Sequence, residues 1–310
     1  MASVKRVFIV NPKAGDGSTG SDWPLIKSVA EDRLGRFEAY FTGGPGDARE
    51  IAKAAIARGA EQLICVGGDG TLNEVVNGLM ALGEVSKPAV QLGFIPDGTG
   101  CDIVRTVPIP ADIEQAVDVI AAGHVRSVDV GRLFFQDHNG TRACRYFHNV
   151  ASFGIGGEVA QRVNRSSKAF GPFFAFIWAT LVTICLYGKK EVFLKIDDRP
   201  QSAQRVWNVA IANGQFHGGG MWIAPEAAVD DALFHVVIIG DLSLTEVFRN
   251  LPRLYNGRIA KIKKVTMLTA KRIEAGSDER VLLDIDGEQP GRLPAVIDLL
   301  PGALNMITAE

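Results

Sequence analysis

The sequence has 310 residues, 47% hydrophobic and 22% charged, with a formal net charge of −2. That length supports two separate cores, and the charge balance gives no basic surplus to draw nucleic acid. Cys65, Cys101, Cys144 and Cys185 show no paired spacing, which argues against a zinc site or disulfide framework and for a reduced, cytoplasmic setting. No long apolar stretch follows Lys5 and Arg6, so no secretory signal is expected.

Arg6-Val7-Phe8-Ile9-Val10 predicts a first strand running into Asn11-Pro12-Lys13-Ala14-Gly15-Asp16-Gly17-Ser18. This loop lacks the Gly-Lys-Ser/Thr of a Walker motif, but it is small and flexible. It stands at the carboxyl end of a strand, where ligands bind in open α/β sheets. A helix from about Trp23 to Leu34, a strand Phe37 to Phe41 ending in Thr42-Gly43-Gly44, and a helix Asp47 to Arg58 follow.

Gln62 to Val66 is an apolar, partly β-branched run, a buried strand that feeds Gly67-Gly68-Asp69-Gly70-Thr71-Leu72-Asn73-Glu74. Leu72, Val75, Val76, Leu79 and Met80 then recur at helical spacing. Thr71 and Glu74 stand as Thr-x-x-Glu, a capping box that sets the expected helix start at Thr71. Glycines in a strand-to-helix turn let another molecule approach the backbone, and free N–H groups with the helix dipole favour a phosphate. Asp69 would repel phosphates unless a divalent cation stood between them, so the stretch points to a nucleoside triphosphate with Mg²⁺.

A strand Val90 to Ile95 enters a second glycine-rich turn, Pro96-Asp97-Gly98-Thr99-Gly100-Cys101-Asp102. A helix Ile113 to Ala122 and a strand Ser127 to Val130 follow. Strands alternating with helices of this length predict a parallel sheet with right-handed crossovers.

From about Gly131 the pattern changes to serial strands: Cys144 to Val150, Glu191 to Ile196, Arg205 to Ala212, Leu233 to Ile239, Val265 to Leu268, Arg280 to Ile285 and Ala295 to Leu299. These predict an antiparallel sandwich or flattened barrel. The fold class is therefore α/β, with a parallel-sheet nucleotide-binding domain over 1–131, which the family resemblance given below implies is rejoined by about 300–310. A β-sandwich domain over 132–299 would receive the substrate.

The nineteen residues Ala169 to Tyr187 carry no charge. A single span there would put the Gly-Gly-Asp-Gly loop and the later half on opposite faces of a bilayer, so a buried or interfacial helix is expected. The runs Val159 to Lys190 and Val247 to Ile273 contain basic but no acidic residues. Such runs are ordinarily solvated faces, yet here they would also suit attraction to anionic lipid. The five histidines show no ligand spacing. Near the end, Asp284, Asp286 and Glu288 fall at i, i+2 and i+4, the spacing of one strand face. Crowded like charges would raise one carboxyl toward a base or gather a metal.

The run from Gly67 through Glu74 and on to Gly78 resembles the diacylglycerol kinase catalytic-domain family, which includes bacterial lipid kinases and the sphingosine and ceramide kinases. The resemblance extends in order from Asn11 to Glu288. It implies that Asn11, Pro12, Lys13, Ala14 and Gly15, Thr42, Gly67 to Glu74, Gly98 and Thr99 meet ATP. The family's Pro-x-Gly-Thr-x-Asn-Asp loop has Cys101 here in place of Asn. Asn213 to Gly220 matches a loop that faces the family's cleft between domains. Pro225 to Leu233 resembles a loop holding a structural Mg²⁺ through a carboxylate and two carbonyls, here Asp231, Ala228 and Leu233, with Ala232 replacing the usual Gly. The family's catalytic Asp-Gly-Glu maps to Asp286 and Glu288, beside Asp69.

The function expected is transfer of the γ-phosphoryl group of ATP to the hydroxyl of a diacylglycerol, sphingoid, ceramide or phosphatidylglycerol type lipid. The setting is a cytoplasmic enzyme peripherally bound to the membrane, with no nucleic-acid partner and a homodimer left open. The alternatives are an NAD kinase-like phosphotransferase, since NAD kinases share Gly-Gly-Asp-Gly, and a non-catalytic lipid or nucleotide sensor, which retention of Asp69 and Asp286 disfavours.

Overall fold

Four short runs of mostly apolar, aromatic or β-branched residues form parallel strands: β1 (Arg6–Val10), β2 (Glu38–Phe41), β3 (Gln62–Gly67) and β4 (Gln91–Pro96), in the spatial order β2-β1-β3-β4. Helices α1 (Ser18–Leu34), α2 (Asp47–Ala57), α3 (Asp69–Met80) and α4 (Ile113–Ala122) separate or follow them. In the computed structural model, which describes residues 4–81, 90–98, 100–165 and 172–310, these elements and the last ten residues make one unit, and 131–300 make a second.

In the first unit Phe8, Val10, Ile64, Val66 and Ile95 pack against Ile26 and Ala30 of α1 and Ala116, Val117 and Ile120 of α4. Burying each large aliphatic or aromatic side chain contributes about 1.5–3 kcal/mol, enough to fix the register of a sheet with both faces covered. The chain moves from β1 out to β2 and then back past β1 to β3. The loops after β1 and β3 therefore leave in opposite directions, the switch point where open α/β sheets bind ligands. Near the terminus Asn305 and Met306 pair in parallel with β4.

The second unit contains β5 (Val125–Asp137, entering from the first unit), β6 (Arg142–Phe147), β7 (Val150–Gly154), α5 (Ile155–Arg165), α6 (Pro172–Leu186), β8 (Lys190–Ile196), β9 (Ser202–Val206) and β10 (Asn208–Ala212). It continues with the hairpin β11 (Phe216–His217) and β12 (Met221–Trp222), then β13 (Phe234–Ile239), α7 (Leu244–Tyr255), β14 (Val265–Ala270), β15 (Arg272–Gly276), β16 (Leu283–Ile285) and β17 (Gly291–Ile307). One sheet runs β14-β13-β10-β7-β16 and is antiparallel throughout. It is the expected sandwich: Ala151, Phe153, Val209, Ile211, Phe234 and Leu283 share a core with Val192 and Leu194 of β8 and Ile273 of β15.

Two runs expected as single strands are broken. The first stops at Phe147 and resumes at Val150, and the second stops at Val206 and resumes at Asn208. At each break the chain changes sheets, which an apolar pattern continuous in sequence does not reveal. Helix α6 is described over Pro172–Leu186, Ala169 to Gly171 of the expected segment lie outside the described residues, and no described helix is long and apolar enough to cross a membrane. Helix α7 carries the complete capping box, Ser243 with Glu246.

Candidate active site

The loops after β1 to β4 converge in the first unit. Helix α3 starts at Asp69, earlier than expected, with Gly68 as an extended N-cap (φ −99°, ψ −175°) and no side-chain cap. Thr71 instead sits in the first turn, where its hydroxyl accepts from Asn11 Nδ2 at 2.9 Å. Glu74 accepts from the backbone N–H groups of Gly46 (2.7 Å) and Ala48 (3.1 Å) at the start of α2, where the helix dipole favours an anion. The capping box read from the sequence is therefore not formed. The first-turn N–H groups of Asp69, Gly70 and Thr71 have no acceptor within their own helix, which is how a helix start receives phosphate.

The neighbouring loops are tied to this turn. Lys13 N–H donates to Asn11 Oδ1 at 3.1 Å, and Lys13 Nζ donates to the carbonyl of Gly43 at 3.2 Å, next to buried Thr42. Gly98 lies directly against Gly68: a Cβ on Gly98 would stand 2.6 Å from the Gly68 Cα. Asp69 Oδ2 accepts from the Asp102 N–H at 3.1 Å. Asn11 to Gly15, Thr42, Gly67 to Thr71 and Gly98 thus belong to one set of loops at one end of the sheet, whereas Thr99 lies outside the described residues. Leu72 and Asn73 are buried in α3, with Asn73 Oδ1 accepting from Asn77 Nδ2 at 3.0 Å. With Glu74 spent on α2, these three hold the turn from behind.

Cys101 adopts a left-handed backbone (φ 46°, ψ 53°), a conformation that Asn takes more readily than most residues. Burial first, and then the charge of Asp69, push its thiol up to about 12. The protonated sulfur donates to the carbonyl of Gly98 at 3.7 Å, a weak bond within the loop.

A divalent cation fits this end of the first unit. Asp97 Oδ1 accepts from Ser18 Oγ at 2.8 Å, while its Oδ2 is buried without a hydrogen-bond partner among the described residues. Asp69 adds a second carboxylate on the facing loop. Two carboxylates and a phosphate are compatible at close range when a cation joins them, and Mg²⁺ is ordinarily held by one or two carboxylates, phosphate and water. No group of three or more acidic, His or Cys side chains able to hold a metal occurs among the described residues.

In the second unit the three late carboxylates do not share an edge. Strand β16 ends at Ile285, and Asp286 turns out of it with φ 47°. Its Oδ1 accepts from the N–H groups of Asn149 (3.2 Å) and Val150 (2.9 Å), and its Oδ2 from that of His148 (3.1 Å), with His148 Nδ1 at 3.0 Å. Three of a carboxylate's roughly four acceptor positions are thus taken by backbone N–H groups, and Oδ2 also pairs with the His148 imidazole. Burial pushes the Asp286 carboxyl up. The charge and hydrogen bond of His148, with the backbone donors, outweigh it and hold the group below the usual carboxylate range. The raised, base-like carboxyl expected from like-charge crowding is not what forms at Asp286. It clamps the corner where β6 leaves one sheet and β7 joins the other.

Asp284 Oδ1 accepts from the Gly287 N–H at 3.0 Å and Oδ2 faces His217 Nε2 at 2.9 Å. Glu288 is partly exposed and lies 3.5 Å from Arg145. Asn149 Nδ2 donates to the carbonyl of Phe216, and Asn213 Nδ2 to that of His148, so the corner also fixes the loop before β11. His148 and His217 escaped the sequence reading because their partners are 138 and 67 residues away.

Asp231 lies on a loop whose next residue, Ala232, has φ 58°, the left-handed conformation that the usual Gly adopts without strain. Its Oδ1 accepts from the Leu233 N–H at 3.0 Å and its Oδ2 is 3.1 Å from His235 Nε2. The alanine is thus accommodated in the glycine conformation, and the carboxylate keeps acceptor positions for a cation.

Two family models match the chain: the diacylglycerol kinase catalytic domain over residues 5–133, and the YegS C-terminal NAD kinase beta sandwich-like domain over 149–308. A diacylglycerol kinase of Staphylococcus carnosus is 32% identical over 94% of this chain and 91% of its own. One from Staphylococcus aureus strain MRSA252 is 33% identical over 94% of this chain and 88% of its own. A Bacillus anthracis str. Sterne crystal structure, described as a diacylglycerol kinase, has a TM-score of 0.80 at 26% identity, covering 99% of this chain and 95% of that one. Yeast NADH kinase, at a TM-score of 0.53 and 12% identity, shares the fold alone.

Proposed function

This chain belongs to the diacylglycerol kinase family and is a lipid kinase, and we propose that it transfers the γ-phosphoryl group of ATP, bound with Mg²⁺, to the hydroxyl of a diacylglycerol-type lipid. The observation that carries the nucleotide half is the uncapped start of α3 behind the Gly67–Gly68 turn, with Asn11, Lys13 and Gly98 on the adjoining loops. Backbone N–H groups of Asp69, Gly70 and Thr71 would receive phosphate oxygens, and Asp69 with Asp97 would hold the cation. When bound, Mg²⁺ supplies neutralisation of the charge that builds on the phosphate oxygens. Asp231, with the carbonyls of Ala228 and Leu233, would hold a structural cation.

Phosphoryl transfer is chiefly positioning and charge neutralisation. The Asp286-Gly287-Glu288 turn would position the acceptor side. Asp286 holds the β6–β7 corner, and Glu288 is the less buried carboxylate of the pair, facing Arg145. Assay with radiolabelled ATP over a panel of diacylglycerol, sphingosine, ceramide and phosphatidylglycerol should label diacylglycerol most strongly. Preferential labelling of another member would reassign the acceptor, and labelling of none would remove the proposal.

We also place the enzyme at the membrane surface, where such a lipid resides. Leu244, Phe248 and Tyr255 are exposed on α7, and their spacing puts them on one stripe of a 3.6-residue helix. Trp178, Leu181 and Leu186 are exposed on α6. Both helices pack onto one apolar cluster, through Ile184 from α6 and Val247, Leu251 and Leu254 from α7. The basic runs contribute less than their sequence suggests, because Lys189, Lys190, Lys264 and Arg272 have carboxylate partners.

A further inference from the structure

We infer that the second unit carries a phosphate-binding site built from Arg280, Arg292 and His138, outside the residues that would take ATP, the cations or the acceptor. A cavity of about 190 Å³ is lined there by Asp137, His138, Arg280, Leu282, Gly291 and Arg292. That is well above the roughly 10–15 Å³ that one water needs. Neither guanidinium has a hydrogen bond or ion pair with a described residue. Arg145 and Arg272 of the same unit, by contrast, face Glu288 and Asp298.

Strand pairing brings the two arginines together. Leu282 bridges Arg292 in antiparallel register, and the Leu293 N–H donates to the Val281 carbonyl at 3.0 Å. Residues at i and i+2 of an extended chain share a face, so Arg280 stands on the side of Leu282, diagonally across from Arg292. Leu282 is 1% exposed and gives the cavity an apolar floor. The turn between β5 and β6 supplies the facing wall. Gly291 lies so close to it that a Cβ there would stand 2.1 Å from the Gln136 carbonyl oxygen. His138 Nε2 donates to the Gln289 carbonyl at 3.2 Å, which holds the ring at the rim. Asp137 is the acidic member of the lining, but its Oδ1 closes its own turn, accepting from the N–H groups of Asn139 (2.9 Å) and Thr141 (2.8 Å).

Two guanidinium forks around one space suit a tetrahedral anion, whose oxygens point several ways. A carboxylate is satisfied by a single fork. The ligand is therefore a phosphate group, carried by a lipid as a phosphomonoester headgroup or free in solution. His138 and Arg280 are exposed, which leaves a way out for the rest of a phosphate ester. Arg280 and Arg292 also bracket the segment that holds Asp284, Asp286 and Glu288, so an anion between them ties the two ends of that segment together. The site rests on the second unit alone and does not depend on the lipid kinase reading.

The test follows the arginine Nε–H signals of the full chain by proton–nitrogen NMR. Inorganic phosphate and monomeric dihexanoyl phosphatidic acid are titrated, with acetate and dihexanoyl phosphatidylcholine as controls at equal ionic strength. The signals of Arg280 and Arg292, assigned through Arg280→Gln and Arg292→Gln, should shift saturably with both phosphate compounds and with neither control. Each substitution should weaken binding seen at the remaining arginine about tenfold or more, the loss expected for a charge-assisted hydrogen bond. Melting temperature should not change, because neither side chain has a partner among the described residues. Lipid bound more tightly than inorganic phosphate supports the site with a headgroup as its ligand, and lipid bound no more tightly supports it with soluble phosphate. Shifts that do not saturate, an equal response to acetate, or binding undiminished by either substitution would overturn it. Lipid labelling with ATP is a separate measurement, so failure here leaves the kinase reading standing.

Discussion

At the scale of single residues, several non-glycine side chains near the candidate site occupy left-handed backbone, among them Cys101, Ala232 and Asp286. Cys101 is buried, and its thiol is pushed up to about 12, so almost no thiolate exists near neutral pH and alkylation should be slow. Iodoacetamide at pH 8 should modify exposed Cys144 and Cys185 well before Cys101, as peptide mass mapping would record. Rapid labelling of Cys101 would contradict the burial. For Asp286 the folded pKa is depressed, so its stabilisation is present above the unfolded value of about 3.9 and is lost as pH falls through the folded value. Asp286→Asn should lose about 3–5 kcal/mol near neutral pH by breaking a buried carboxylate paired with His148 and held by three backbone donors, along with turnover. The melting-temperature gap to wild type should narrow below about pH 4. A variant that melts like wild type at pH 7 would remove the clamp from the account.

At the scale of elements, the decisive one is the start of α3. Gly68 has extended backbone, and a Cβ there would meet the Gly98 Cα at 3.5 Å, an ordinary contact. Gly68→Val should therefore fold, with a native circular dichroism spectrum, while its branched side chain blocks approach to the helix start. ATP binding by calorimetry should disappear, and retained binding would put the phosphates elsewhere. Gly98→Ala is a poorer probe, because its methyl would force two backbones apart. Helix α7 had a legible start in Ser243-Leu244-Thr245-Glu246, yet the basic run after it drew the sequence reading toward charge alone. By contrast Thr71 and Glu74 matched the same signal and bonded elsewhere, to Asn11 and α2.

At the scale of the whole molecule, an enzyme without a described membrane-spanning helix still has to reach a lipid. Exposed Leu244, Phe248 and Tyr255, with exposed Arg249, Arg253, Lys261 and Lys263 on or just after the same helix, suit a combination of apolar insertion and attraction to anionic headgroups. Vesicles containing anionic lipid should pull the protein down, and about 0.5 M salt, which screens charge within roughly 4 Å, should release part of it. Phe248→Ser with Leu244→Ser should reduce the salt-resistant remainder. Arg249→Glu with Arg253→Glu should reduce the salt-sensitive part, and both pairs should leave turnover on detergent-dispersed lipid intact. Binding untouched by either pair would move the membrane face away from α7.

The alternation of strands and helices, the glycine turn around Asp69 and the serial strands of the second half were all legible in the sequence, because each is written in local periodicity and turn chemistry. The catalytic-side geometry was not. Asp284, Asp286 and Glu288 look equivalent at a spacing of two, yet the end of β16 at Ile285 sends each to a different partner: His217, the His148–Val150 corner and Arg145. That corner exists only because β6 and β7 lie in different sheets, and sheet membership is decided by packing across the sandwich core, where local apolar pattern is the same on both sides of the break. The sequence determined which residues carry charge and hydrogen-bonding capacity, and the tertiary structure alone decided which carboxylate is consumed as scaffold and which stands beneath a histidine.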